Sequence, residues 1–67
     1  MKPDVAANLK KIREEKGFTK EQVAEHLGYS VSGYRKIEQG QRSLSMANAL
    51  EIAKFLNCSL DEIFLVS

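Results

Sequence analysis

What this sequence has little of narrows its chemistry. It contains one cysteine, Cys58, so it closes no disulfide within itself and holds no cysteine-cluster zinc site. Its one histidine, His26, leaves a histidine-based metal site short of ligands. No stretch approaches the ~20 apolar residues of a membrane span. The opening Met1-Lys2-Pro3-Asp4 lacks the apolar run of a secretory signal. No segment alternates apolar and polar residues as a half-buried strand does. There is no glycine-rich phosphate loop and no nucleophile–base pair at recognisable spacing, so no metal, no cofactor and no enzymatic activity are expected. A reducing cytoplasm fits these absences.

What is present reads as one folded domain, 1–67. A hydrophobic fraction of 43% is ordinary for a globular chain and too high for a disordered one. At this length a single core supplies only about 3–5 kcal/mol. The formal net charge is +1, but it is unevenly spread. Residues 1–46 hold nine Lys/Arg against six Asp/Glu, and residues 47–67 hold one against three. The first part is therefore +3 and the last −2. Such polarity suits one face toward phosphates and another toward a partner or solvent.

Five short helices are expected, over about residues 4–16, 20–27, 31–38, 46–56 and 60–65. In the first, Val5, Leu9 and Ile12 share a face and Gly17 supplies a left-handed stop. Thr19 and Gln22 form a capping box for the second, with Phe18 placed to staple onto Val23 and Gly28 as the stop. Ser30 starts the third, which turns Tyr34 and Ile37 inward, with Tyr29 placed to staple onto Tyr34. Ser45 caps the fourth, whose apolar stripe is read as Met46, Ala49, Leu50, Ala53 and Leu56. Ser59 and Glu62 form a second capping box, with Cys58 and Ile63 as its staple. Helices of two turns are marginal alone, so packing must hold them.

The second and third helices with the Gly28-Tyr29-Ser30 turn fall within about 20 residues. That is the helix-turn-helix arrangement, in which the second helix enters the major groove by its N-terminal end. Val31, Ser32, Arg35 and Lys36 are expected to project away from the Tyr34/Ile37 side. A short apolar group, a hydroxyl and two cations make a base-edge set. By themselves Arg35 and Lys36 would read as a solvated helix face; the surrounding motif favours DNA contact. His26 reads as a partly exposed surface residue rather than a pH switch, and Cys58 as an inert thiol rather than a redox sensor.

At this point the chain resembles the Cro/C1-type helix-turn-helix domains, the XRE family. The segments that carry the likeness are 9–14 (LKKIRE), 17–24 (GFTKEQVA), 27–30 (LGYS), 37–40 (IEQG), 52–56 (IAKFL) and 59–64 (SLDEIF). Together they cover most of the chain. The resemblance implies an all-α, compact five-helix, lambda-repressor-like DNA-binding domain. It implies base contacts from Val31, Ser32 and Lys36, and phosphate contacts from Lys20, Gln39, Gln41 and Arg42. It also implies a largely buried structural ion pair between Arg13 and Glu38. The chain departs from the family pattern in four places. Lys20 stands where Gln is usual, Gly33 where Ser or Thr is common, Tyr34 where an aliphatic is usual, and Leu44 where Pro is common. Tyr34 needs a partner for its hydroxyl if buried.

The expected function is sequence-specific binding of double-stranded DNA by a dimeric prokaryotic or phage repressor or autoregulator at an inverted-repeat operator. The alternative is an antitoxin-like or adaptor module in which a regulatory protein partner dominates, docking on the acidic last third. Phe64, Leu65 and Val66 either close the core or form a dimer seam. With no room for a ligand-binding domain in 67 residues, control is expected from expression level, a partner, or competition for the site. The setting implied is the cytoplasm, at the nucleoid.

Overall fold

The computed structural model of the chain describes residues 4–64. Five helices follow one another: α1 (Val5–Glu15), α2 (Lys20–Leu27), α3 (Val31–Glu38), α4 (Met46–Leu56) and α5 (Leu60–Phe64). No strand occurs among the described residues. Residues 4 and 16, expected inside the first helix, are its caps: Asp4 accepts from the Ala7 amide at 3.1 Å, and Lys16 closes the other end. Residue 65, expected as the last of the fifth, lies outside the described residues.

Each start is set by a side chain that satisfies an otherwise orphaned amide. Thr19 Oγ1 accepts from the Gln22 amide at 3.1 Å, while Gln22 Oε1 accepts from the Thr19 amide at 2.8 Å. Ser59 and Glu62 repeat this exchange ahead of α5, at 3.2 and 3.0 Å. Ser30 and Ser45 cap α3 and α4 by accepting from Gly33 and Asn48.

The helices close over one core made of Leu9 and Ile12 from α1, Val23 and Ala24 from α2, Tyr34 and Ile37 from α3, Ile52, Ala53 and Leu56 from α4, and Ile63 from α5. α1 packs on α3 and α5, and α4 packs on α2 and α5. Burying a side chain such as Val23 or Ile37 contributes about 1.5–3 kcal/mol. That outweighs the ~1 kcal/mol helix-propensity cost of Gly33, so α3 forms although it has only eight residues.

The stripe expected on α4 needs correction. Met46 is 59% exposed and Leu50 43%, while Ile52 is wholly enclosed. The buried row is Ala49, Ile52, Ala53 and Leu56. Both rows obey the helical period and share Ala49, Ala53 and Leu56. The neighbours α2 and α5 select the second.

Arg13 and Glu38 form an ion pair deep in this frame, with side chains 7% and 2% exposed. Arg13 Nε donates to Glu38 Oε2 at 2.6 Å, Nη2 to Oε1 at 3.2 Å, and Nη1 to the Phe18 carbonyl at 2.8 Å. The hydrogen bond to Glu38 raises the guanidinium pKa, with burial opposing. A second buried link joins the chain's ends: Asn8 Nδ2 donates to the Ile63 carbonyl at 3.0 Å.

The Tyr34 hydroxyl is enclosed beside this ion pair and makes no hydrogen bond of normal geometry. Burial first, and then the Glu38 carboxylate, hold its pKa far above the ordinary 10.0.

Two predictions follow from the core. Arg13→Ala strands a buried carboxylate and should cost about 3–5 kcal/mol; an unchanged melting temperature would refute that. Tyr34 keeps its proton in the folded chain where the unfolded chain loses it, so stability should fall as pH rises above 10.0. Tyr34→Phe should remove much of that alkaline loss and leave neutral-pH stability equal or higher. A marked drop in urea midpoint at pH 7 would reveal a hydroxyl partner.

Candidate nucleic-acid interface

The helix-turn-helix unit is built by one sharp reversal. Gly28 closes α2 with φ +75°, a left-handed conformation that turns the chain into Tyr29 and the Ser30 cap. α3 then lies against α2, with Tyr34, Ile37 and Glu38 turned inward.

On the opposite face Ser32, Arg35 and Lys36 are exposed. Val31 is not among them in full: it is half-buried and packs on the core. It precedes Tyr34 by three residues, which places it only about 60° around the helix from that buried side chain. The outward face is therefore a hydroxyl and two cations, with Val31 at its margin. Glu38 is the only carboxylate in residues 30–42, and Arg13 neutralises it. No other described residue pairs with Arg35 or Lys36, so their donors face solvent.

The flanks carry the remaining candidates. Lys20 is half-buried at the first position of α2. Gln39 is the exposed C-cap of α3, and Gln41 is exposed with its amide donating to the Lys36 carbonyl at 2.9 Å. The Arg42 guanidinium lies over the Tyr29 ring, 4.8 Å from its centroid. Asn48 Nδ2 in turn donates to the Tyr29 hydroxyl. Tyr29 thus joins the turn, the loop after α3 and the start of α4. Sequence reasoning missed Asn48, and no periodic spacing links residues 29, 42 and 48.

The other residues singled out lie apart from this face. Phe64 is half-buried against the core, and Leu65 and Val66 lie outside the described residues. His26 stacks on Phe55 at 4.4 Å, with Nε2 3.7 Å from the Glu51 carboxylate. Burial, then Glu62, pushes the Cys58 thiol pKa up, against Lys16, which disfavours the reactive thiolate. No group of three metal-ligating side chains occurs among the described residues, and no helix there is long and apolar enough to cross a membrane.

Gly28→Ala tests the turn. An added Cβ would meet nothing within 4 Å, so the cost is conformational. It should be about 1–2 kcal/mol in urea unfolding. A neutral result would mean that the turn tolerates another backbone path.

Comparison with known proteins agrees with this geometry. A helix-turn-helix family model matches residues 9–63. The chain is 42% identical over 55 residues to YazB, an uncharacterized HTH-type transcriptional regulator of Bacillus subtilis, covering 82% of this chain and 80% of that one. It is 31% identical to a competence pilus inhibition repressor of Acinetobacter baylyi over 96% of its own length, and spans 58% of that protein. Among solved structures it is similar to the restriction-modification controller protein C.AhdI of Aeromonas hydrophila. That likeness has a TM-score of 0.81 and 32% identity over 90% of this chain and 91% of the other. The chain belongs to the Cro/C1-type helix-turn-helix family of DNA-binding transcription regulators, which are not enzymes.

Proposed function

We propose that this chain is a homodimeric repressor or autoregulator that reads an inverted-repeat operator through the major groove. The observation that carries the reading is the exposed Ser32/Arg35/Lys36 face of α3, free of carboxylates and presented just after a tight turn. Lys36 and Arg35 suit guanine O6 and N7, Ser32 suits either base class, and Val31 at the margin suits a thymine methyl. Lys20, Gln39 and Gln41 flank that face and hold the phosphate backbone, which sets register without reading sequence.

One module of this size reads few base pairs, so specificity calls for two. Two-fold use places the recognition helices about 34 Å apart, with half-sites roughly 10 bp centre to centre. Phe64 with Leu65 and Val66 is the proposed seam between copies. The relative from Acinetobacter baylyi is named as a repressor, which supports repression here. Acting on duplex DNA places the protein in the cytoplasm, at the nucleoid.

Selection of bound duplexes from a random pool tests the proposal. An enriched inverted repeat with half-sites one turn apart is expected. Weak, salt-sensitive binding with no enrichment would overturn it in favour of a module that depends on a protein partner. Lys36→Ala should cost about 1–3 kcal/mol on the enriched site and relax one base preference. Equal losses on enriched and random DNA would remove Lys36 from base reading.

A further inference from the structure

Glycine at position 33 leaves a gap on the first turn of α3. A Cβ built there would stand 3.2 Å from Ser30 Oγ and 3.5 Å from Nη1 of Arg42. Arg42 belongs to the loop after α3, yet its guanidinium lies back over that first turn. Its guanidinium carbon stands over the Tyr29 ring, 4.8 Å from the centroid, and that ring is itself tethered through its hydroxyl to Asn48 of α4. No carboxylate or carbonyl among the described residues accepts a hydrogen bond from Arg42.

A guanidinium set over an aromatic ring is attracted by the ring while its N–H donors stay free for a further acceptor. The end of α3 on which it lies is the end that leads into the groove. A lysine would carry the same charge there but has no face to stack and no fork to present.

We infer that Arg42 reads a guanine edge beside the α3 side chains, and that Gly33 is the positioning residue that lets it do so. This rests on the groove-reading function proposed above and adds to it. A loop residue otherwise assigned to the backbone becomes a determinant of sequence. A residue with no side chain controls which base is chosen. Chains with a bulkier residue at this position would turn the same arginine elsewhere and prefer a different base pair.

The test compares wild type with Arg42→Lys, Arg42→Ala, Gly33→Val and Gly33→Ala in binding selection and salt titration. Valine places two γ-carbons on the first turn and takes the space of the guanidinium. It is also a better helix former than glycine, so the fold should persist. Alanine brings its Cβ into ordinary contact with Arg42 Nη1 at 3.5 Å and close to the Ser30 cap at 3.2 Å, so it separates crowding of the cap from displacement of the guanidinium.

Arg42→Lys and Gly33→Val should both lose the preference for guanine at one shared position, with about a tenfold or greater loss on the best site. Their salt dependence should match wild type, because the charge count is unchanged. Gly33→Ala, which leaves the guanidinium its space, should lose less of that preference than Gly33→Val. In the free protein, the ring-current shift of Arg42 side-chain protons over Tyr29 should disappear in Gly33→Val.

If Arg42→Lys and Gly33→Val keep every base preference while Arg42→Ala weakens all duplexes alike, Arg42 is a backbone contact only and the inference fails. If Gly33→Val keeps a preference that Arg42→Lys loses, Gly33 has no part. A wild-type chain with no preferred sequence would overturn the groove-reading function itself, an outcome visible without any variant.

Discussion

Arg13 reaches from α1 with all three of its nitrogens engaged, two on the Glu38 carboxylate and one on the Phe18 carbonyl. That single side chain ties the first helix to the turn before α2 and to the last residue of α3. Removing two charges from water is costly, and the arrangement holds because every donor of the fork that is buried finds an acceptor. Apolar side chains of equal volume would fill the same space. They would not supply the directed hydrogen bonds by which the planar fork joins α1 to the end of α3 and to the turn before α2.

The helices around this pair could not stand alone. α2 and α3 have eight residues each, below the length at which an isolated helix is stable in water. Two influences of different range hold them. Caps at Thr19, Ser30, Ser45 and Ser59 satisfy starting amides locally, and the shared core supplies the free energy. The tight reversal at Gly28 lets α2 and α3 bury their apolar faces on the same core while α3 keeps its polar face outside. The candidate interface is therefore a consequence of how the core closes.

Several features were legible because they depend on residues three or four apart. Both capping boxes, the glycine stops and the inward Tyr34 and Ile37 could be read directly, since a hydrogen bond or a helical face at that spacing needs no other part of the chain. The α4 stripe was not legible in the same way. Rows beginning at Met46 and at Ala49 fit one period equally well, and only the positions of α2 and α5 choose between them. Val31 was misplaced for a different reason: its position three residues before Tyr34 leaves it at the edge of the buried face, half-covered by the core.

The sequence by itself determined five helices, the caps of the last four, a two-helix unit with a glycine turn, and a set of cations and hydroxyls suited to DNA. Each of these follows from bonds and periodicities that close within a turn or two of chain. Tertiary structure decided which of those groups meet. It set Asn8 on the Ile63 carbonyl, Asn48 on Tyr29, and Arg42 across Tyr29 beside Gly33, and it gave its geometry to the Arg13–Glu38 pair that only the family resemblance had implied. Partners separated by 9 to 55 residues become neighbours only after the core has closed. No local pattern encodes such a contact, because its geometry belongs to the packing of whole helices.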